Sequence, residues 1–379
     1  MKYLGHPQAE LEAAGGICTA REISQQPAVW PKIQTQVSVS AGALRAFLRP
    51  LLERRDLRIV LTGAGTSSFI GECLVPAVKR STNLRVEAIA TTDLVGSPDI
   101  WFDASVPTLL VSFARSGNSP ESLAAVNLAE QAVRDRHHLI VTCNQNGELY
   151  RRAQQLQNAY VLLLPEETDD RGFAMTSSFS GMILAAALAF DALPGEDVKS
   201  IAQWAAGVLE TRVPFIAELA QAGFERVVYL GGQEFKGLAR EAALKMLELS
   251  DGHMVALAET PLGFRHGPKT IVNGKTLVVM FASNDPYARQ YEADLLRELR
   301  SDGVAGRVVA LGDVEGAIAV GAPASASNLA LCFPYAVFAQ TFAFLRSLSL
   351  GLRPDTPNAR GVVNRVVQGV SIYPWNPSR

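Results

Sequence analysis

Between Leu57 and Ser68 the chain reads L-R-I-V-L-T-G-A-G-T-S-S, and this run limits the fold more than any other. A short apolar segment stops at a glycine turn, and a helical pattern resumes from about Phe69. A strand of nearly continuous apolar character is buried on both faces, the setting of a parallel sheet with helices on either side. A glycine turn that feeds directly into a helix points backbone N–H groups at one spot, where an anion is stabilised. The third glycine of the dinucleotide fingerprint is missing. Thr66, Ser67 and Ser68 stand there instead, with hydroxyls able to donate to phosphate oxygens. The same letters also describe a tight turn with a serine cap, so this loop alone does not decide between binding and structure.

A second strand, Thr108–Phe113, runs into A-R-S-G-N-S-P-E-S. Pro120 suits the first turn of a helix and Ser119 its cap. Arg115, Ser116, Asn118 and Ser119 crowd donors at that helix start. Ligands of open parallel sheets gather at the carboxyl ends of strands, so both loops are expected at one crevice. Two further strands, Leu139–Cys143 and Tyr160–Leu164, flank a polar helix near Glu148–Gln157, and His137-His138 reads as a solvated turn. An acidic loop from Glu166 then meets a Thr/Ser cluster that opens an apolar helix. Thr176, Ser177 and Ser178 are caps first and ligand contacts second.

Pro194-Gly195 marks a break, residues 196–222 read as helical, and the pattern restarts. Arg226–Leu230 is a strand closed by Gly231-Gly232, followed by a helix, an apolar strand Thr276–Ala282 and an amphipathic helix Tyr287–Arg300. Short strands Arg307–Leu311 and Ala330–Phe333 precede an apolar helix Tyr335–Leu350. This order is an internal duplication of doubly wound α/β units. The expected division is an arm over 1–44, domains over 45–195 and 196–350, and a tail over 351–379. In the arm, Thr19 and Glu22 have the spacing of a capping box, Pro27 and Pro31 interrupt the helical pattern after it, and Ser38–Leu52 is helical. The proline-rich tail holds an apolar run, Val362–Val367, that either packs over a site or reaches a partner.

A net charge of -2 supplies no basic field for a nucleic-acid backbone. The most apolar run, Met182–Phe190, is far short of the ~20 residues that cross a bilayer. With no signal pattern and four scattered cysteines, a cytoplasmic protein without nucleic-acid or membrane partners is expected. No set of residues has metal-ligand spacing, and neither metal nor cofactor is expected.

The chemistry-bearing stretch is R-E-A-A-L-K-M-L-E-L-S, from Arg240. Glu241, Lys245 and Glu248 share one helix face. Two carboxylates with an amine between them form an acid, a base and a carbonyl-reactive nitrogen. The spacing is also that of an ordinary solvated ion pair worth about 0.2–0.5 kcal/mol. Arg265-His266-Gly267 come after a break containing Pro261 and Gly263.

The loops G-A-G-T-S-S and S-F-A-R-S-G-N-S-P-E-S resemble the phosphate loops of sugar isomerase (SIS) domains. The run R-E-A-A-L-K-M-L-E-L-S with G-F-R-H-G-P resembles the catalytic region of the isomerase half of glucosamine-6-phosphate synthase, and the likeness extends over about residues 45–370. T-A-R-E-I-S-Q-Q-P near the start and N-R-V-V-Q-G-V near the end resemble the AgaS-type branch, known as galactosamine-6-phosphate deaminase/isomerases or tagatose-6-phosphate ketose/aldose isomerases. The resemblance implies an α/β fold of two tandem SIS domains, each a doubly wound parallel sheet flanked by helices. It implies an enzyme acting on a phosphorylated amino sugar, turning galactosamine 6-phosphate into tagatose 6-phosphate and ammonia. Aldose–ketose isomerisation without loss of nitrogen, glucosamine-6-phosphate deamination and a sugar-phosphate-binding regulator are the alternatives.

By the same resemblance, Gly65, Thr66, Ser67, Arg115, Ser116 and Ser119 hold the substrate phosphate. The pattern departs at Ala114, which lacks the family hydroxyl, and at Arg115, which replaces an amide side chain. Glu248 falls on the carboxylate that moves a proton between C1 and C2, and Lys245 on a lysine able to form an imine. Glu241 falls on the partner of the ring-opening histidine, His266. Thr176, Ser177 and Gln368 are further substrate contacts, with Gln368 standing where the synthase has a lysine. In the synthase the histidine reaches in from the neighbouring subunit, which implies a homodimer with shared active sites.

Overall fold

The computed structural model describes residues 1–376 other than Ala359 and Gln368. The chain divides into two compact units. One comprises Val29–Asp169, Ser177–Pro194 and Val362–Arg379; the other comprises Met1–Ala28, Asp170–Thr176 and Gly195–Gly361.

The first long helix, α1 (Ile17–Leu52), is continuous, so Pro27 and Pro31 do not break it. A proline inside a helix removes one N–H and costs about 3 kcal/mol. At Pro27 the Ile23 carbonyl that would lose its donor accepts instead from Gln26 Nε2 at 3.1 Å. Burial of Val29, Trp30 and Ile33 on the same helix offsets the remaining cost. The helix begins two residues before Thr19, so Thr19 and Glu22 form no capping box. The Asp355 carboxylate, 337 positions beyond Cys18, accepts the N–H groups of Cys18 and Thr19 at 3.0 and 2.8 Å.

In the first unit, β1 (Arg58–Thr62), α2 (Thr66–Thr82), β2 (Arg85–Ala88), β3 (Thr108–Ala114), α3 (Pro120–Ala132), β4 (Arg136–Thr142), β5 (Ala159–Leu163) and α4 (Ser177–Ala189) come in order. The sheet order is β2-β1-β3-β4-β5, and every pairing is parallel. β1 and β3 are buried throughout, as their apolar runs require. β2 carries only one fully buried residue, Val86, which is why its pattern escapes a hydrophobic reading. His137 and His138 are not a solvated turn. Both lie in β4, and His138 is fully buried with Nε2 2.9 Å from Glu130 Oε1. Hydrogen bonds to Glu130 also come from Arg136 and Asn158, which satisfy a carboxylate that two adjacent histidine letters give no hint of.

In the second unit, β6 (Arg226–Leu230), α5 (Glu234–Leu249), β7 (Val255–Glu259), β8 (Thr276–Phe281), α6 (Pro286–Asp302), β9 (Arg307–Leu311) and α7 (Asn328–Ser349) come in order. The sheet order is β9-β8-β6-β7, again all parallel. Ala330–Phe333 is not a strand. It belongs to α7, which starts under the Ser327 cap and runs through Pro334. Four apolar residues ahead of a proline look like a strand, whereas the serine three residues earlier is the helix start that decides the matter. Over its whole length α7 is long and apolar enough by composition to cross a membrane, yet its apolar window is entirely buried inside this unit. It packs on α5 and fixes the back of that helix.

Candidate active site

In both sheets the chain order reverses beside the first strand. From β1 the chain moves to β2 on one side, and from β3 to β4 on the other. The loops after β1 and β3 therefore flank a topological switch point, where open α/β sheets bind ligands. Gly63 makes the first loop tight, since a Cβ there would sit 2.5 Å from the Ser67 Cβ. Gly65 has φ 56 and ψ -126 immediately ahead of α2. Thr66, Ser67 and Ser68 form the first turn of α2 and are all buried. The hydroxyls expected from the sequence are thus at a helix N-terminus.

The second loop carries Arg115, Ser116 and Ser119. Arg115 is buried, and its guanidinium donates to the Arg365 carbonyl at 2.9 Å. Arg365 in turn pairs with Asp169 at 3.2 Å. Ser116 Oγ accepts the Asn118 N–H, and its carbonyl accepts from Asn144 Nδ2. Ser119 is the cap of α3, and its Oγ lies 2.6 Å from Ser122 Oγ. Gly65, Thr66, Ser67, Arg115, Ser116 and Ser119 are therefore brought to the carboxyl ends of two neighbouring parallel strands of one sheet. Ser177 opens α4 of that unit, while Thr176 belongs to the other unit, where its N–H and hydroxyl donate to Asp170. Gln368 lies outside the described residues.

The remaining candidates lie in the second unit. On α5, Glu241 and Lys245 are 2% and 1% exposed, which rules out a merely solvated ion-pair face. Lys245 Nζ bonds Glu248 Oε2 and lies 3.6 Å from Glu241 Oε1. The Glu248 side chain keeps 24% exposure, so the helix presents one open carboxylate on a buried ammonium–carboxylate pair. That arrangement suits a proton carrier backed by a fixed charge.

His266 lies just after the short helix Pro261–Phe264, capped by Thr260 Oγ1 accepting the Gly263 N–H. Its loop is stapled to α6: Arg265 bonds Glu298 at 2.8 Å, and Lys269 bonds both Glu298 and Asp302. The ring itself is exposed and makes no hydrogen bond or ion pair among the described residues.

Sequence reasoning missed a polar seam on α1. Thr19, Glu22 and Gln26 are all buried, and Glu22 accepts the backbone N–H groups of Arg171 and Gly172. The available signal is their i, i+3, i+7 spacing, a single helix face. Two of the three also fit the spacing of a cap, and that local pattern hides the longer one.

An α/β chain with parallel sheets, hydroxyl-rich loops at a switch point and a match to the SIS domain model over residues 51–192 is a SIS-domain protein. The chain belongs more particularly to the AgaS family. The D-galactosamine-6-phosphate deaminase AgaS of Escherichia coli is 45% identical over 373 residues, covering 96% of this chain and 97% of that protein. The crystal structure of tagatose-6-phosphate ketose/aldose isomerase from Escherichia coli superposes with a TM-score of 0.87 at 42% identity, covering 96% of this chain and 98% of that one. The glutamine–fructose-6-phosphate aminotransferase (isomerizing) of Aliivibrio fischeri is 25% identical over 210 residues, 52% of this chain and 32% of that protein.

Proposed function

We propose that this chain is a sugar-phosphate deaminase/isomerase that converts galactosamine 6-phosphate and water into tagatose 6-phosphate and ammonia. The observation that carries the reading is the near full-length identity to an AgaS deaminase. Its two halves act as tandem SIS domains over 45–195 and 196–350, with an arm over 1–44 and a tail over 351–379. The hydroxyls of Thr66, Ser67, Ser116 and Ser119, the Gly65 turn and the Arg115 guanidinium hold the phosphate. Remote phosphate binding then fixes the sugar for chemistry at C1 and C2.

His266 moves protons between O1 and O5 to open the ring. In the cytoplasmic homodimer of this scheme it is supplied by the neighbouring copy and oriented there by Glu241. Glu248 removes the C2 proton to give an enolamine and returns a proton to C1, leaving a ketimine at C2. Water adds to that carbon, the C2–N bond breaks with the electron pair on nitrogen, and ammonia leaves with a ketose. Lys245, as an ion-paired ammonium, stabilises charge on the way and is not required as a nucleophile. Thr176, Ser177 and Gln368 complete the substrate contacts. No cofactor, nucleic acid or membrane enters this scheme.

A second reading, aldose–ketose isomerisation without loss of nitrogen, is favoured by the name of the structural neighbour at 42% identity. An ammonia-release assay across 2-amino-hexose 6-phosphates, run beside interconversion of the nitrogen-free sugar phosphates, separates the two. Ammonia from galactosamine 6-phosphate is expected. Turnover confined to glucosamine 6-phosphate, or to substrates without nitrogen, overturns the assignment.

A further inference from the structure

The start of α1 reaches across to the loop Asp170–Thr176, which lies in the same unit. Glu22 Oε1 accepts the Arg171 N–H at 2.6 Å, and both of its oxygens lie 3.2 Å from the Gly172 nitrogen. Gly172 is pressed against this face, since a Cβ there would lie 2.6 Å from Thr19 Oγ1 and 2.9 Å from Glu22 Oε2. Thr19 is itself fixed by Asp355, to which its hydroxyl donates at 2.7 Å. Two turns after Thr19, Gln26 Nε2 donates to Gln340 Oε1 at 2.7 Å, and Gln340 Nε2 donates to the Thr176 carbonyl at 3.5 Å. Inside the loop, the fully buried Asp170 accepts the N–H of Thr176 at 2.7 Å and its hydroxyl at 3.2 Å. The loop is therefore moored to α1 at Arg171-Gly172 and closed on itself at Thr176.

We propose that Glu22 is a positioning residue for the active site: its carboxyl fixes the backbone of Arg171 and Gly172 and so sets where Thr176 meets the substrate. The proposal rests on the reading of this loop as substrate-contacting given under Proposed function. Glu22 touches neither the phosphate nor the reacting carbons; it acts through the loop. The charged groups that face it are carboxylates, Asp170 from the loop and Asp355 from the tail, with the Cys18 thiol on its own helix. Gln340, from α7, faces the seam without charge. Burial first, and Asp170 second, push the Glu22 carboxyl up to about 8, against the two backbone N–H groups that pull it down. At neutral pH the mooring is made by a protonated acid, for which glutamine is a close copy. Above about pH 8 a second negative charge develops beside Asp170 and loosens it.

The test compares wild type, Glu22→Gln and Glu22→Ala by ammonia release from galactosamine 6-phosphate between pH 6 and 10. Alongside it, mass spectrometry maps the rate of tryptic cleavage after the exposed Arg171. For wild type, kcat/KM is expected to fall above about pH 8 while cleavage after Arg171 accelerates. Glu22→Gln is expected to keep its neutral-pH activity within about twofold and to lose that alkaline limb in both readouts. Glu22→Ala is expected to raise KM about tenfold, more than it lowers kcat, and to be cleaved about tenfold faster, the size of one lost neutral hydrogen bond. An unchanged alkaline limb in Glu22→Gln, or an unchanged KM and cleavage rate in a folded Glu22→Ala, overturns the proposal. If Glu22→Ala does not fold, the pH profile of Glu22→Gln decides. Wild type inactive on every sugar phosphate sinks the functional reading instead, and the cleavage rates still test the mooring without it.

Discussion

Gly65 and Gln233 hold the same backbone conformation, φ 56 and ψ -126 against φ 52 and ψ -124, each just ahead of the helix that comes after the first strand of its sheet. This is the first central position of a type II′ turn, where glycine is at home and a side chain is strained. The two sheets thus repeat a turn as well as a topology. In the second, a glutamine is held where its counterpart needs none, with Gln233 Oε1 accepting from Asn328 Nδ2 at 2.9 Å.

Gln233→Gly should therefore stabilise the protein. Relief of strain is worth on the order of 1–3 kcal/mol, and loss of the hydrogen bond costs about 0.5–1.5 kcal/mol. The net is about 1 kcal/mol, a rise in Tm of about 2–4 °C for domains of this size. Thermal unfolding checks it, and a lower Tm would show that the side chain matters more than the turn.

Glu248→Gln should reduce turnover about 10²–10⁴-fold while sugar-phosphate binding stays near wild type, because the amide cannot carry the proton. Mixed with His266→Ala and reassembled, it should regain about one quarter of wild-type activity. A dimer of one copy of each holds one intact site when the histidine comes from the other chain. Single-turnover rates and isothermal binding measure the first effect, and subunit exchange the second. No recovery on mixing would return His266 to its own chain.

Arg115→Ala should raise KM about 10–100-fold with kcat changed by less than about threefold, since a charge-assisted hydrogen bond is worth about 1.5–3 kcal/mol. Steady-state kinetics decide it. An unaltered KM would reduce Arg115 to the holder of the Arg365 carbonyl.

Glu130 offers a stability test away from the site. Burial raises its pKa, but Arg136, Asn158 and His138 outweigh burial and hold the carboxyl at about 2, below the ordinary 4.5. A lowered folded-state pKa contributes stability that is present above about 4.5 and lost as pH falls through about 2. Glu130→Gln should cost about 1–3 kcal/mol at pH 7, and the gap to wild type should close between pH 4.5 and 2. Urea unfolding across that range measures it. A gap independent of pH would mean that packing, not charge, is what the substitution removes.

The strands that carry the loops were legible because burial on both faces leaves an unbroken apolar run, as at Arg58–Thr62 and Thr276–Phe281. Val255–Glu259 was not, since none of its residues is fully buried. Errors clustered where a distant partner overrides local preference. Pro27 stays helical because a neighbouring amide replaces its donor, and Thr19 is capped from Asp355, which no local window contains. At the site, spacing placed Glu241, Lys245 and Glu248 on one face, but only the fold made two of them buried. Glu22 was invisible as a positioning group because its acceptor role depends on Arg171 and Gly172, 149 and 150 positions away.

The sealing of α1 by Asp355 also sets a timetable. Met1–Ala28 belongs with Gly195–Gly361, so these residues must wait for partners synthesised well after them. At about 5–20 residues per second, Cys18 and Asp355 emerge roughly tens of seconds apart. The stretch Val29–Asp169, with five strands and a core of its own, can condense in that interval. For its leading residues, the order of synthesis and the order of assembly are reversed. A chain cut short before Asp355 would leave the start of α1 without its acceptor.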